Sequence, residues 1–225
     1  MRVIDKASHG IDQAAISRAA LSVVHRLREG GFEAFIVGGA VRDLLINGQP
    51  KDFDVATNAT PEQTKALFRS ARIIGRRFQI VHVRQGREII EVTTYRGHHD
   101  SDEAKPSTSK QSEKGLLLRD NVYGSLEDDA KRRDLTVNAM YYDPDDESVL
   151  DQQSGLEDIE ARLIRIIGDP ATRYREDPVR MLRVVRFSAR LQFDIESETA
   201  EAIAVCGPLL SEIPAARLFD EFLKL

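Results

Sequence analysis

The chain has 225 residues, 41% of them hydrophobic and 31% charged, which is the composition of a globular protein with one large domain or one domain and part of a second. Its single cysteine, Cys206, excludes an internal disulfide framework and fits a reducing cytoplasm. No apolar run approaches the ~18–20 residues of a membrane span, and a signal-peptide core is absent, so a soluble cytoplasmic protein with no membrane partner is expected.

A net charge of −5 argues against coating nucleic acid by bulk electrostatics, but the charge is unevenly spread. Residues 69–96 hold seven arginines against two glutamates, and residues 171–190 hold six arginines against two acids. Such fields suit a polyanion held in a cleft; scattered surface ion pairs are the plain alternative.

In chain order, residues 11–29 read as an amphipathic helix with Ile11, Ala15, Ala19, Val23 and Leu27 on one stripe, ended by Gly30 and Gly31. A strand over 33–37, a short helix over 40–46 and a strand over 53–56 follow. Thr60, Pro61 and Glu62 form a helix start, and that helix runs to about residue 70. Strands are predicted near 73–74, 80–84 and 89–94, the last two joined by a Gln85-Gly86 turn. Residues 98–115 contain no large apolar side chain and read as a mobile surface loop. His98 and His99 there lack a Cys or His partner at ligand spacing and read as solvent-exposed. A helix over 126–132, a helical turn from Leu135, a strand over 139–142, a short helix within 145–160 and a strand over 163–167 complete an α/β unit of residues 1–167. From Asp169 the pattern is helical throughout, giving a second, all-helical region over 168–225. Residues 215–225, with Leu218, Phe222 and Leu225 on one face, show no cap or stop, and the chain is expected to be cut short there.

Three constellations carry chemistry. In the first, Gly38 and Gly39 follow an apolar strand, Arg42 lies one helical turn on, and Asp52-Phe53-Asp54 comes 13 residues after Gly39. In an extended strand Asp52 and Asp54 share a face about 7 Å apart. Carboxylates so placed repel each other unless a hard cation lies between them, and Mg²⁺ favours a few carboxylate oxygens plus substrate phosphates. The glycines let backbone N–H groups approach those phosphates. A tight turn beside a solvated strand edge is the plain alternative. In the second, Lys131-Arg132-Arg133 abuts Asp134, which competes with Glu91 as a third acid for two-metal chemistry. In the third, Asp177-Pro178 reads as a helix cap and first position. Arg180, Arg183, Arg186 and Arg190 then fall within about 120° of arc on a helix otherwise apolar, a stripe facing a cleft or solvent.

Taken in order, Gly38-Gly39-Ala40-Val41-Arg42-Asp43, Asp52-x-Asp54, Arg132-Arg133-Asp134 with Asn138, and Glu176-Asp177-Pro178 with Arg180 and Arg183 resemble the class II nucleotidyltransferases of the DNA polymerase β superfamily, the CCA-adding enzymes and bacterial poly(A) polymerases. The motifs span residues 38–190. Residues 75–83, 88–99 and 118–134 look more like the poly(A) polymerase branch, and the differences at Thr93 and Leu135 are mild. The resemblance implies a nucleotidyltransferase head with a mixed β-sheet flanked by helices, followed by the start of an all-helical neck that binds the nucleotide base and RNA. It implies Mg²⁺ on Asp52 and Asp54, the triphosphate on Gly38, Gly39 and Arg42, and contacts from Arg133 and Asn138 to triphosphate or ribose. Asp134 becomes a candidate third acid, and Asp177 and Arg180 would read the base with Arg183 in support. The expected partners are ATP and an RNA 3′ end, the expected activity addition of AMP to RNA. The alternatives are a CCA-adding enzyme or, from another class, a non-catalytic RNA-binding module.

Overall fold

The computed structural model describes residues 1–75, 79–97, 109–111, 117–120 and 122–224, the segments 109–111 and 117–120 by their backbone. The strands are β1 (Arg2–Ile4), β2 (Ala34–Val37), β3 (Asp54–Thr57), β4 (Ala71–Ile74), β5 (Ile80–Gln85), β6 (Glu88–Thr94), β7 (Ser109–Gln111), β8 (Leu117–Asp120), β9 (Met140–Tyr142), β10 (Val149–Asp151), β11 (Leu163–Ile164) and β12 (Asp194–Ile195). Between and after them lie the helices α1 (Lys6–His9), α2 (Arg18–Glu29), α3 (Gly39–Leu45), α4 (Pro61–Leu67), α5 (Leu126–Arg132), α6 (Gly155–Glu160), α7 (Pro170–Glu176), α8 (Val179–Leu191), α9 (Ser197–Cys206) and α10 (Ala215–Phe222).

Eight strands form one mixed sheet in the order β1-β10-β9-β2-β3-β6-β5-β4. Among the described residues only β3 and β6 run parallel within it, pairing Asp54 with Glu91 and Ala56 with Thr93. Strand alternation sends Ile36, Val55, Val81, Val83, Ile90 and Val92 to one face, where they join Val23, Val24 and Leu27 of α2 in the main core. The other face carries Val37, Ala56 and Tyr141, covered by Ala130 of α5 in a smaller cluster. Asp54 and Glu91 lie on this second face, beyond the edge of that cover. The sheet therefore supplies a rigid apolar floor on one side and an open acidic row on the other.

Local chemistry explains the helix starts. Thr60 and Gln63 form a reciprocal capping box at α4, and Ser125 with Asp128 does the same at α5. The helix expected from residue 11 begins later: Asp12 caps a separate 3₁₀ turn at Gln13–Ala15, and the Ser17 hydroxyl then caps α2 by accepting from Ala19 and Ala20. Ile11 and Ile16 are buried outside the helix, so their apolar spacing mimicked a helical stripe.

Four other departures from the sequence reading follow. The β1–β10 pair was not anticipated, because three-residue strands carry too few alternations to show a period. The expected strand over 163–167 shortens to β11, and β12 lies inside the region read as wholly helical, pairing parallel with β11. The boundary at residue 167 is thus bridged by backbone hydrogen bonds. Asp177 does not precede a helix with proline at its first position: it is the C-cap of α7, and Pro178 is the N-cap of α8. Of the surface loop expected over 98–115, Ser109–Gln111 is a strand paired with β8; His98, His99 and the rest of the loop lie outside the described residues. Cys206 is buried, as its neighbours suggested. Among the described residues no helix is long and apolar enough to cross a membrane.

Candidate active site

The site begins at Gly38, whose φ of 77° and ψ of −136° turn the chain out of β2 and into α3. That backbone region strains any residue with a Cβ, so the sequence requires glycine there. Among the described residues no side chain caps the first turn of α3. Arg42, one turn along, is 2% exposed. Its Nε and Nη2 donate to Asp43 Oδ1 at 2.9 and 2.6 Å, and its Nη1 donates to Asn138 Oδ1. Its guanidinium lies 4.9 Å from the centre of the Phe187 ring. Arg42 is therefore a braced wall rather than a free cation.

Asp52 precedes β3 and is exposed, whereas Asp54 opens the strand and is half-buried. Neither carboxylate makes a hydrogen bond or ion pair among the described residues. Burial, reinforced by repulsion from Glu91 and Asp52 and only partly offset by Arg133, pushes the Asp54 carboxyl up to about 6. Strand pairing places Glu91 opposite Asp54, and the Glu91 carboxylate lies 3.2 Å from His82 Nε2. No group of three or more His, Cys, Asp or Glu side chains stands ready as a metal cage among the described residues. Two partnerless carboxylates fit Mg²⁺, which takes one or two carboxylates and fills its shell with water and phosphate oxygens. When bound, such an ion supplies charge stabilisation at the reacting phosphoryl group.

Asp134 has a different setting. Arg183 donates from Nε to its Oδ2 at 2.7 Å and closes the pair with Nη2 at 2.6 Å. Its Oδ1 accepts from the Leu135 N–H at 2.8 Å and from Asn138 Nδ2 at 3.4 Å. Burial alone would raise Asp134, but Arg183 and these donors hold it well below the usual carboxylate range. Both oxygens are engaged, so Asp134 positions Arg183 and Asn138. Of the two acids the sequence left in competition, Glu91 is the one in register with Asp54.

Arg133 is set by Asp129, which the sequence did not single out. Asp129 Oδ2 accepts from Arg133 Nε and Nη2 at 3.2 and 3.0 Å and from the Tyr141 hydroxyl at 2.7 Å. Arg133 Nη1 remains directed at Gly38, 3.6 Å from the position a Cβ would take there.

A cavity of about 310 Å³ brings together Gly38, Gly39, Arg42, Asp52, Asp54, Arg133, Asp134, Asn138 and Arg183. Asp177 and Arg180 are the two anticipated site residues that do not line it. Asp177 Oδ2 accepts from Arg217 Nη2 at 2.6 Å, and its Oδ1 accepts from the Val179 N–H at 3.3 Å. Arg180 donates to Glu176 at 2.8 Å and to the Arg173 carbonyl at 2.9 Å. The α8 arginine stripe divides accordingly: Arg183 and Arg190 reach the cavity, while Arg186 donates to Glu221 of α10 at 3.1 Å.

Lys51 and Phe187 also line the cavity and were missed, and Arg190, read only as a member of the α8 stripe, lines it too. Lys51 adjoins the carboxylate pair in sequence, and Arg190 lies 3.7 Å from Asp43 Oδ2. Asp52 and Asp54 thus share one polar cavity with Lys51, Arg190 and Arg133. A larger groove of about 680 Å³ lies between α2 and residues 67–70, on the face away from the carboxylates.

Sheet, glycine turn and partnerless carboxylate pair together make a nucleotidyltransferase head. A family model described as the poly A polymerase head domain matches residues 34–165. The chain belongs to that family. A second, described as "Probable RNA and SrmB- binding site of polymerase A", matches residues 192–225. The chain is 54% identical to poly(A) polymerase I of Salmonella typhimurium over all of its own length and 48% of that protein's. It is 40% identical to a CCA-adding enzyme of Streptococcus gordonii over 92% of the chain and 49% of the relative. Among solved structures, the CCA-adding enzyme of Bacillus stearothermophilus in complex with CTP superposes with a TM-score of 0.78 at 35% identity, covering 92% of this chain and 47% of that one. The chain spans about half the length of these relatives.

Proposed function

We propose that the protein transfers AMP from ATP to the 3′ end of RNA and releases pyrophosphate. The observation that carries this reading is the pair Asp52 and Asp54, held without a counter-ion and facing the cations of one cavity. An RNA 3′-hydroxyl gives up its proton to solvent as its oxygen forms a bond to the α-phosphorus of ATP and the bond to the pyrophosphate oxygen breaks, and no covalent enzyme intermediate is needed. The N–H groups after Gly38, the free arm of Arg133, Lys51 and Arg190 hold the triphosphate, with Arg42 and Asn138 fixing the wall behind it. Asp52 and Asp54 hold Mg²⁺, Glu91 is the neighbouring third acid, and Asp134 keeps Arg183 in place.

Asp177 and Arg180, with Arg183 behind them, are assigned to the base edge. Both are tied in this structure, so base binding would exchange the Arg217 and Glu176 contacts for contacts to adenine. The choice of ATP rests on the likeness to poly(A) polymerase I rather than on the carboxylates, which do not encode a base. Purified full-length protein incubated with labelled RNA, Mg²⁺ and each nucleoside triphosphate decides the matter. Long tails from ATP alone are expected. A short, defined extension requiring CTP would instead mark a CCA-adding enzyme, and Mg²⁺-dependent ATP binding without extension a non-catalytic module.

A further inference from the structure

Among the described residues, none of the arginines that crowd residues 69–96 lines the nucleotide cavity. Arg69, Arg72 and Arg84 instead line a separate groove of about 450 Å³ at the β4 edge of the sheet. We propose that this groove carries the RNA strand upstream of its 3′ end, with these arginines on the backbone phosphates. The proposal rests on the reading of the protein as an RNA-extending nucleotidyltransferase.

Strand register ties the groove to the site. Asp54 stands opposite Glu91, Glu91 opposite His82, and His82 opposite Arg72. Residues directly opposite one another share a face of a sheet. The four therefore form one row across β3, β6, β5 and β4, on the face that carries the carboxylates. Their neighbours Val55, Val92, Val81 and Ile73 pack into the main core on the other face. Strands lie about 4.8 Å apart, so three steps put the Arg72 backbone about 14 Å from that of Asp54. An RNA strand with its 3′ end at Asp54 reaches Arg72 about four nucleotides back, at about 3.4 Å per stacked nucleotide.

Charge points to a polyanion. Arg69 and Arg72 are exposed and have no partner among the described residues. Among the same residues Arg84 engages Nε alone, on the Gly86 carbonyl at 3.2 Å. The glutamates of the segment do not neutralise them. Glu88 alternates to the other face and accepts from the Ser17 hydroxyl at 2.5 Å, and Glu91 is met by His82 at 3.2 Å. Unpaired guanidinium groups on a chain of net charge −5 fit phosphate oxygens. Ile74 and Ile89, 37% and 56% exposed, line the same groove and offer apolar surface to bases without reading their edges. An acidic protein segment is the competing occupant, and the row that ends at Asp54 favours RNA.

The path continues beyond β4. Arg69 and Ser70 line both this groove and the larger one of about 680 Å³, whose α2 wall adds Arg26 and Arg18. Arg18 also has no partner among the described residues. Ser70 fixes the junction, its hydroxyl donating to the Arg84 carbonyl at 2.8 Å.

The double variant Arg69→Ala/Arg72→Ala tests the path, since both side chains are exposed and unpaired and their loss should leave the fold intact. In the full-length protein, with a labelled primer of about fifteen nucleotides, the slope of log affinity against log salt should fall by about 1.4, at about 0.7 per phosphate contact. At about 0.15 M salt this corresponds to a Kd and KM about tenfold higher. A primer of about three nucleotides, which ends short of Arg72, should keep its KM within about twofold, as should ATP. Arg69→Lys/Arg72→Lys should restore the slope, and Arg2→Ala, at the opposite edge of the sheet, should leave it unchanged. A long-primer KM equal to wild type, an equal loss on the short primer, or an equal effect of Arg2→Ala overturns the proposal. Should the wild-type protein extend no RNA with any nucleotide, the functional reading fails. Fluorescence anisotropy of the long primer then still decides the groove: weaker, less salt-dependent binding by the double alanine variant supports it, and equal binding overturns it in favour of an acidic protein partner.

Discussion

Replacing Asp54 by asparagine should make the metal-free protein more stable at neutral pH while destroying its activity. The folded-state carboxyl is raised from 3.8 to about 6 by burial and by Glu91 and Asp52. Below the lower value the group is protonated whether folded or unfolded, and it adds nothing to the pH dependence. Between the two values the folded state keeps a proton that the unfolded chain has released, so stability falls as pH rises. Above the higher value the cost is constant. Each pH unit between the two values is worth about 1.36 kcal/mol, which sets a ceiling of about 3 kcal/mol. Partial exposure of Asp54 to water and salt reduces this to about 1–2 kcal/mol. For a chain of this size that gain corresponds to about 2–8 °C in Tm. Urea melts of wild type and Asp54→Asn with a chelator present, at about pH 8 and about pH 4, measure it directly. The variant should be the more stable at the higher pH, and the two should converge at the lower. Added Mg²⁺ should stabilise wild type alone, since the variant has lost a metal ligand. A variant no more stable than wild type at about pH 8, or a difference that persists unchanged at about pH 4, would refute the claim that Asp54 is held against electrostatic repulsion.

Three further outcomes follow from the site. Asp52→Ala should abolish RNA extension and leave the melting temperature within about 1 °C, because Asp52 is exposed and makes no bond among the described residues; wild-type turnover in this variant would remove the carboxylate pair from catalysis. Gly38→Ala forces a Cβ onto a φ of 77° and should cost about 1–2 kcal/mol in denaturant melts, with ATP affinity by calorimetry falling because the turn before Arg133 Nη1 is displaced. Arg183→Ala strips Asp134 of its main partner. The pair is only partly shielded, with Arg183 32% and Asp134 15% exposed, so a loss of about 1–3 kcal/mol is expected rather than the full value for a buried pair. The sign with pH is the reverse of that for Asp54. Asp134 is depressed in the folded state, so its contribution is present above the ordinary carboxylate range and fades as pH falls through and below it. The variant and wild type should converge in acid; a constant gap would show that packing, not charge, is lost.

The parts of this molecule legible in the sequence are those where one short segment carries its own reason. Thr60-Pro61 announces α4, because capping is a local exchange of hydrogen bonds between side chain and backbone. The glycine turn and Asp52-x-Asp54 could be singled out for the same reason, and the fold brings them to one cavity, although a tight turn beside a solvated strand edge fitted the spacing too. What escaped was set by partners distant in sequence. Nothing in residues 1–5 reveals that β1 pairs with β10, some 147 residues on. Asp129 looked like one more acid in the first turn of a helix, until folding placed Tyr141, Arg133 and Arg96 around it. Lys51 was overlooked because a single lysine has no period, and Arg190 because it belonged to a stripe whose members proved to have four different partners.

That stripe also shows why Asp134 could not be assigned from sequence. An arginine next to an acid at Arg133-Asp134 suggests one local cluster serving the nucleotide. In the fold the two neighbours part: Arg133 turns to Asp129 and the glycine turn, and Asp134 to Arg183 on α8. Arg183 in turn approaches Glu221 of α10 at 3.7 Å, and Glu221 accepts from Arg186 at 3.1 Å. A continuous chain of charge-assisted contacts therefore runs from the carboxyl end of α5 through α8 to α10. Removing Asp134 would leave Arg183 without its main partner at the cavity wall, whereas removing Arg186 leaves Glu221 still beside Arg183 and Lys224. The helical region is thus tied by charge to the cavity through Arg183, which holds Asp134 on its wall.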